Sequence, residues 1–225
     1  MTVHCIIGEV ATQGGTMSQS PEIWRATYEA TDLESLSCAY DEWAPDYERD
    51  TREHMGYVAP EVAGALLDAH LESRESKVLD AGCGTGLVGE ALNKLGYSNI
   101  HAMDYCSGML KEAERKQVYD QLIQADMSKT LETPDNSYDA AICVGAFTYA
   151  HLGPETFDEL IRITKPEGVV CFTIRDGAYQ KYQYRKHMLK LEAEKAWELQ
   201  QMLDEGYLLK ENVTAKFCAY RVLDS

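Results

Sequence analysis

The chain has 225 residues, enough for one large α/β domain with a sizeable buried core. Its 37 acidic and 21 basic residues give a formal net charge of −16, which disfavours nonspecific binding to nucleic acids and to anionic membranes. The seven cysteines include no C-x-x-C pair, which favours free thiols, and we expect a cytoplasmic protein without a signal peptide or a membrane span.

The N-terminal quarter of the chain predicts a tail followed by a helical cap. Residues 1–20 show no sustained hydrophobic period, so we expect a mobile tail there. Residues 21–225 are predicted to form a single domain, whose helical cap covers about residues 21–56. Aromatic residues recur through the cap, partly at helical spacing, at Trp24, Tyr28, Tyr40, Trp43 and Tyr47. This spacing suits a helix packed on a sheet as well as a cover over a ligand, and both interpretations stay open.

A helix, a short strand and a glycine-rich turn are predicted next. Apolar residues at helical spacing from Val58 predict an amphipathic helix that ends near Ser73. The short apolar run from Val78 ends in the acid Asp80 and predicts a strand, and the glycines of G-C-G-T-G at residues 82–86 allow a sharp turn. Because a glycine has no Cβ, a ligand can lie directly against this backbone. The helix that follows is predicted to end at Gly96.

Two kinds of nucleotide ligand fit this turn. Gly84-x-Gly86-x-x-Gly89 matches the dinucleotide fingerprint, and Asp104 follows at the distance expected for a ribose-binding acid. Asp80, however, precedes the turn, and its carboxylate would repel a pyrophosphate and attract a ligand that carries an ammonium group. We therefore favour a cationic ligand over a dinucleotide.

Downstream, predicted strands alternate with predicted helices. Two final strands, at residues 207–214 and 217–223, are expected to form a hairpin. The helices are expected after a Ser107 N-cap, around residues 157–163 and, as a long polar helix, at residues 179–205. This alternation predicts a doubly wound α/β sheet with an antiparallel edge.

The stretch D-A-G-C-G-T-G at residues 80–86 resembles the first motif of the class I S-adenosylmethionine-dependent methyltransferases. Four later segments resemble that family's further motifs in the same order, at residues 99–104, 124–127, 138–146 and 165–174. The resemblance implies that they are the second strand, the end of the third strand, the fourth strand, and the turn into the fifth strand at residues 169–174. Residues 40–47 and 164–173 are similar, more narrowly, to the methyltransferase-like proteins of the Williams–Beuren syndrome region. The resemblance covers about residues 40–225. It implies the Rossmann-like methyltransferase fold, with seven mostly parallel strands and an antiparallel C-terminal hairpin.

The resemblance also implies the cofactor S-adenosyl-L-methionine and the residues that hold it. Asp80 would stabilise the ammonium group, Asp104 would accept from both ribose hydroxyls, and Asp126 would accept from the adenine amino group. A helix-capping role for Asp104 and a structural role for Asp126 stay open as alternatives. The cofactor-binding residues expected in this way are Tyr40, Trp43, Tyr47, Asp80, Gly82, Cys83, Gly84, Gly86, Asp104, Tyr105, Met109, Asp126, Met127 and Val144.

We expect methyl transfer to a small-molecule acceptor, a reaction that mainly needs alignment and exclusion of water. The acceptor should face the loop at residues 145–152, above the carboxyl ends of the strands. In this loop His151 is the candidate general base, since its ordinary pKa lies near neutrality, and a loop histidine without a role is the alternative. A catalytically silent cofactor-binding or scaffolding protein of the same fold also stays open. No metal, nucleic acid or membrane partner is expected.

Overall fold

The computed structural model describes residues 26–27, 29–30, 32–148 and 152–224. The expected tail at residues 1–20, the aromatic residues Trp24 and Tyr28, and the candidate base His151 lie outside the described residues. No helix within the described ranges has the length and the apolar composition that crossing a membrane requires.

The centre of the fold is a seven-stranded sheet in the order β3-β2-β1-β4-β5-β7-β6. Strands β1 to β5 pair in parallel, whereas β7 pairs antiparallel with β5 and with β6. The fold expected from the sequence is therefore confirmed. The strands are β1 Val78–Ala81, β2 Ile100–Asp104, β3 Gln121–Gln124, β4 Tyr138–Phe147, β5 Thr164–Arg175, β6 Trp197–Leu208 and β7 Val213–Val222.

Helices cover both faces of the sheet. On one face Leu67 of α2 and Leu92 of α3 are fully buried, and on the other Phe157 of α5 and Tyr184 of α7 are fully buried. All four residues of β1 are buried, as expected for a parallel strand that is covered on both faces. The α-helices are α1 Leu33–Trp43, α2 Ala59–Asp68, α3 Leu87–Lys94, α4 Ser107–Arg115, α5 Thr156–Ile163, α6 Ala178–Lys181 and α7 Tyr184–Ala193, with a π-helical segment Arg49–Met55 and a 3-10 helix Leu209–Glu211.

The prediction of a long helix at residues 179–205 is wrong. The chain instead forms the short helices α6 and α7, and β6 begins at Trp197. The Trp197 ring is buried and stacks on Tyr220 of β7, with 4.1 Å between ring centroids. Pairing with β7 thus overrides the helical preference of a segment rich in Glu, Gln, Leu and Met. The C-terminal hairpin is confirmed, but its turn lies at the 3-10 helix rather than after Thr214.

The helix ends differ locally from the sequence prediction. Helix α2 ends at Asp68 rather than near Ser73. Cys106, not Ser107, caps α4, because its sulfur accepts a hydrogen bond from the Met109 amide at 3.4 Å. The expected stop at Gly96 is confirmed, since this glycine has a φ of 99° and directly follows the last turn of α3.

The parallel strands β1, β2, β4 and β5 end at one edge of the sheet. Their last residues are Ala81, Asp104, Phe147 and Arg175. Helix α1 and the π-helical segment extend over this edge, where their aromatic residues meet the ends of the strands. The fold therefore gathers the glycine turn, Asp104 and the aromatic cap in one region.

Candidate cofactor and acceptor sites

The turn between β1 and α3 is shaped by glycines in the left-handed backbone region. Gly82 has a φ of 74° and Gly84 a φ of 53°. A Cβ at Gly84 would meet no heavy atom within 4 Å, so this residue borders open space that a side chain would fill. Gly86 has a different role, because a Cβ there would lie 3.0 Å from the Lys116 side chain and because it is the N-cap of α3. Gly84 therefore presents bare backbone to open space, Gly82 leaves room for the Met127 and Ala146 side chains, and Gly86 permits the turn.

A cavity lies against this turn, and we call it the turn pocket. Ten residues that the sequence singled out line it: Tyr40, Tyr47, Gly82, Gly84, Asp104, Tyr105, Met109, Asp126, Met127 and Val144. Three other lining residues, Leu33, Leu36 and Ser37, were missed by the sequence analysis. The remaining ones lie in segments that it had singled out, namely Cys106 between Tyr105 and Met109, Ala125 in segment 124–127, and Gly145, Ala146 and Leu152 in the loop expected to face the acceptor. Leu33, Leu36 and Tyr40 share one face of α1, and this helical spacing could have identified the first two.

Asp104 is held in a fixed orientation at the end of β2. Its Oδ2 accepts from the Gly84 amide and its Oδ1 accepts from the Cys106 amide, both at 2.8 Å. Burial raises the pKa of Asp104, and these two amide donors oppose that rise. Since each carboxylate oxygen has two lone pairs, both oxygens can still accept from ligand hydroxyls. The residue thus fixes its local backbone and also lines the turn pocket.

Asp80 lies behind the glycine turn rather than in the wall of the turn pocket. Its side chain is buried, and its Oδ2 accepts from the Tyr119 hydroxyl at 2.6 Å. Its Oδ1 has no hydrogen-bond partner among the described residues. Burial raises the pKa of Asp80 to about 7, because the hydrogen bond from Tyr119 offsets only part of the desolvation and nearby Asp104 adds to the rise. Asp80 therefore changes charge near neutral pH.

Two further residues of the expected set lie away from the turn pocket. The Cys83 side chain is buried with Ala102 and Ala113, and burial raises the pKa of its thiol well above its usual range. Trp43 lines a second cavity instead. The expected direct contacts of these two side chains with the cofactor therefore have no counterpart in the lining of the turn pocket.

Asp126 lies at the far end of the turn pocket, after β3. It accepts from the Ser128 amide at 3.0 Å and forms an ion pair with Lys129 at 2.9 Å. Although burial alone would raise the pKa of Asp126, the hydrogen bonds from Ser128 and Lys129 lower it overall. The carboxylate is thus ionised and oriented by its own turn, while it still borders the turn pocket.

Helix α1 covers the turn pocket and is fastened to α4 through one carboxylate. Asp41 Oδ1 accepts from the Gly108 amide at 2.5 Å and from the Cys106 thiol at 3.0 Å. A Cβ at Gly108 would lie 2.5 Å from the same oxygen, so this close approach requires a glycine. The side chain of Asp41 therefore holds the cap over the pocket.

The aromatic residues of the cap pack on one another. Trp43 stacks nearly parallel to Tyr40, with 6.2 Å between ring centroids, and meets Tyr47 edge-on at 4.9 Å. Trp43 Nε1 donates to buried Asp50 at 3.0 Å, and Arg49 pairs with the same carboxylate at 3.0 Å. Both sequence interpretations of these aromatics apply, since they pack internally and also line cavities.

The second cavity, which we call the aromatic chamber, has a volume of about 420 Å³. It shares Tyr40, Tyr47 and Gly145 with the turn pocket. It lies beside the carboxyl ends of β4 and β5. Its lining is Thr27, Tyr40, Trp43, Tyr47, Thr51, Met55, Tyr57, Gly145, Thr148, Arg175, Tyr207, Leu208 and Glu211.

Gly145 forms the junction of the two cavities. Its φ is 86°, and a Cβ there would lie 2.9 Å from the Tyr57 hydroxyl. The Gly145 amide donates to Thr173 Oγ at 3.0 Å, which fixes the end of β4 to β5. Behind the junction Tyr57 meets Tyr207, with 3.5 Å between the hydroxyl oxygens. Burial raises the pKa of Tyr57 well above its usual range, so this phenol stays protonated.

No group of three metal-ligating side chains comes together within the described part of the chain. The described chamber lining also contains no histidine.

Comparisons with known proteins agree with this geometry. Residues 79–172 match the family model described as a methyltransferase domain. Human methyltransferase-like protein 27 is 32% identical over 77% of this chain and 71% of the human protein. A malonyl-[acyl-carrier protein] O-methyltransferase of Buchnera aphidicola is 32% identical over 56% of this chain, and the match spans about half (51%) of that protein.

A solved S-adenosylmethionine-dependent methyltransferase from Mesorhizobium loti has the same fold, with a TM-score of 0.54 at 15% identity. The alignment covers 70% of this chain and 96% of that structure. The cofactor is therefore S-adenosylmethionine. The chain belongs to the S-adenosylmethionine-dependent methyltransferase family that includes human methyltransferase-like protein 27.

Proposed function

We propose that this methyltransferase transfers the methyl group of S-adenosylmethionine to a small-molecule acceptor held in the aromatic chamber. The observation that carries the proposal is the pair of cavities joined at Tyr40, Tyr47 and Gly145. The turn pocket has the glycine backbone and the acid that the cofactor needs. The second, larger cavity beside it gives an acceptor a place to bind.

Residues of the turn pocket fit the cofactor. The bare backbone at Gly84 leaves space that a side chain would fill, and Asp104 presents a preoriented carboxylate for the ribose hydroxyls. Asp126 would accept from the adenine amino group. Tyr40 and Tyr47 close the pocket from above. When bound, S-adenosylmethionine supplies an activated methyl group on a sulfonium, which departs as a neutral thioether.

The aromatic chamber would position the acceptor and exclude water from it. Five aromatic residues line the chamber, together with Met55 and Leu208, and these side chains provide the apolar surface that small-molecule sites use. The aromatic residues are Tyr40, Trp43, Tyr47, Tyr57 and Tyr207. Holding two reactants in line can give the reaction an effective molarity of ~10⁵ M or more. His151 remains the proposed base for an acceptor that must lose a proton, although it lies outside the described residues.

The composition and the relatives support a small acceptor. A net charge of −16 works against a polyanionic substrate. The Buchnera relative is named for O-methylation of a malonyl group on an acyl-carrier protein, which supports an acceptor of acyl size in this chain too. The six cysteines of the described part are free thiols, and this supports the proposed cytoplasmic location.

The alternative is a protein that binds the cofactor without turnover, since a fold does not fix an activity. The experiment is incubation of the full chain with methyl-labelled S-adenosylmethionine and a metabolite extract, beside calorimetry of cofactor binding. We expect cofactor binding and label in a low-molecular-weight product. Binding without any labelled product would favour the silent alternative, and Asp104→Ala serves as the control with impaired cofactor binding.

A further inference from the structure

We infer that Tyr119 is a positioning residue of the cofactor site, whose hydroxyl holds the Asp80 carboxylate in place for the ammonium group of S-adenosylmethionine. The inference rests on the expected contact between Asp80 and that ammonium group, and it does not depend on the identity of the acceptor. Tyr119 lies in the loop between α4 and β3, outside every motif that the sequence analysis singled out.

The Tyr119 hydroxyl joins two parts of the site. It donates to Asp80 Oδ2 at 2.6 Å and accepts from the Gly89 amide at 3.2 Å. Gly89 lies in the first turn of α3, where the amides lack partners within the helix. One phenol therefore satisfies a helix amide and also fixes one oxygen of the carboxylate that precedes the glycine turn.

Two glycines of the motif make room for the Tyr119 ring. A Cβ at Gly89 would overlap Cζ and Oη of Tyr119, so the ring and a side chain at residue 89 exclude each other. A Cβ at Gly86 would lie 3.1 Å from Cε2 of the same ring. The spacing Gly86-x-x-Gly89, which a dinucleotide fingerprint would also require, here admits a tyrosine beside the turn.

Unpaired buried atoms on the other side of Asp80 indicate a ligand. Asp80 is 1% exposed, and its Oδ1 has no hydrogen-bond partner among the described residues. Thr85, within the glycine turn, is also 1% exposed, and its Oγ1 has no partner in that part of the chain. Buried polar atoms in native proteins are normally satisfied by protein, water or ligand. Since Tyr119 binds Oδ2, Oδ1 is the oxygen that remains for the ammonium group, and because Asp80 lies behind the turn the contact would pass through water.

The groups that face Asp80 decide its charge. Burial raises the pKa of Asp80 to about 7, the hydrogen bond from Tyr119 opposes this rise, and Asp104 at the end of β2 adds to it. Burial also raises the pKa values of the Cys83 and Cys143 thiols and of the Tyr119 phenol, so all three groups stay protonated near neutral pH. Tyr119 therefore favours the ionised form of Asp80, which is the form that attracts an ammonium group.

The lysine of this region is engaged with other carboxylates. Lys116 follows α4, and its side chain passes Gly86. Its Nζ pairs with Glu48 at 2.8 Å and with Glu90 at 3.1 Å. The charge of Lys116 is thus balanced by these two acids, and the cation for Asp80 would come with the ligand.

The first experiment measures ligand affinity against pH. S-adenosylhomocysteine, which carries the same ammonium group as the cofactor, is titrated calorimetrically into the full chain and into its Tyr119→Phe variant at pH 6, 7 and 8. We expect Tyr119→Phe to bind roughly 10-fold more weakly at pH 7, because more of its Asp80 is protonated.

This deficit should shrink towards pH 8, where Asp80 ionises in the variant as well. The titration of the ligand itself cancels in the ratio of the two affinities at each pH. Equal affinities, or a deficit of the same size at every pH, would overturn the inference, since a purely structural effect of the hydroxyl would not follow the ionisation of Asp80.

A second ligand tests whether the effect is specific to the ammonium group. 5′-Methylthioadenosine has the nucleoside and the thioether of the cofactor but lacks its ammonium group. It should bind the wild type and Tyr119→Phe with the same affinity. An equal loss of affinity for both ligands would mean that the variant disturbs the whole pocket, and this result contradicts the positioning role.

Two further variants serve as a control and as an independent test. Tyr97 also donates to a carboxylate, that of Asp68 at 3.0 Å, and it lines neither cavity. Tyr97→Phe loses the same kind of hydrogen bond and should bind S-adenosylhomocysteine with wild-type affinity. Gly89→Ala should reproduce the pH-dependent deficit, because its methyl group would displace the Tyr119 ring. Wild-type affinity at every pH in Gly89→Ala would count against the inference.

Asp80→Asn separates this inference from the contact on which it rests. The variant should bind S-adenosylhomocysteine more weakly, and adding Tyr119→Phe to it should cost little further affinity, since Tyr119 acts through Asp80. A further loss as large as that in the wild type would overturn the role of Tyr119 while leaving the Asp80 contact standing. Unchanged affinity in Asp80→Asn would remove the contact and this inference with it, while the proposed methyl transfer would be unaffected.

Discussion

At the scale of single residues, the proposed ribose-binding role would give Asp104 a second task beside its contacts with the local backbone. The amides of Gly84 and Cys106 already fix its carboxylate, so binding a ribose there would need little reorganisation. Asp104→Ala should lower cofactor affinity by roughly 10- to 100-fold, since it removes charge-assisted hydrogen bonds worth ~1.5–3 kcal/mol. Calorimetry measures this, with exposed Asp120→Asn as the matched control. Unchanged affinity in Asp104→Ala would contradict the ribose-binding role.

Asp80 makes the stability of the cofactor-free protein depend on pH. Its pKa is about 7 in the folded chain, against about 3.8 for an unperturbed group. Between these values the folded state holds a proton that the unfolded state has released, so stability falls as the pH rises through this window. From pH 5 to pH 8 the free energy of unfolding should fall by roughly 2–3 kcal/mol more in the wild type than in Asp80→Asn, whose side chain does not titrate.

Denaturant unfolding of both proteins at pH 5 and pH 8 measures this difference, in which the titration of all other groups cancels. Tyr119→Phe is the companion variant, because it removes a hydrogen bond that lowers the pKa of Asp80 and should extend the loss to higher pH. If stability depends on pH in the same way in the wild type and in Asp80→Asn, the pKa of Asp80 is the same in the folded and the unfolded chain, which would contradict the prediction.

Single residues also show which parts of the site could be predicted from the sequence and which could not. The order of glycines and acids was enough to find the turn, and ten of the expected residues line one pocket. That Asp80 lies behind the turn depends on Tyr119, a residue whose position beside it is set by the sheet and not by any local pattern. No local pattern marks Arg175 as a residue of the chamber, because its neighbours there come from segments far apart in the chain.

At the scale of elements, the cap depends on the contact between Asp41 of α1 and the start of α4. Asp41→Ala removes the acceptor for the Gly108 amide and the Cys106 thiol, so α1 should detach more often. We expect cofactor dissociation to accelerate by roughly 10-fold, the effect of losing ~1–2 kcal/mol. Stopped-flow displacement measures the rate.

Two variants test whether the effect comes from this contact. Gly108→Ala should act like Asp41→Ala, since its methyl group would lie 2.5 Å from the Asp41 oxygen. Glu42→Ala, the adjacent exposed position on the same helix, should dissociate at the wild-type rate. Cofactor dissociation at the wild-type rate in all three variants would show that the cap is held by its aromatic packing alone.

Elements differ in how far the sequence determines them. Buried parallel strands such as β1 and β4 are mostly apolar and were found in place. β6 lies at the edge of the sheet, and most of its residues are partly or fully exposed, so it lacks such a run. Its helix-forming residues become a strand only because β7 supplies a partner along its whole length.

At the scale of the whole molecule, the net charge bears on whether nucleic acids can be substrates of this protein. A protein that binds a phosphate backbone gains affinity by releasing counterions, and a net charge of −16 opposes that gain. We expect no binding to tRNA or to duplex DNA at 150 mM salt, and no transfer of labelled methyl groups to either. Filter binding over a salt series and scintillation counting of recovered nucleic acid measure both. A lysine-rich RNA-binding protein assayed in parallel shows that the conditions support binding. Tight binding that weakens steeply with salt would locate a basic patch that the overall charge conceals, and it would remove the main physical reason for a small acceptor.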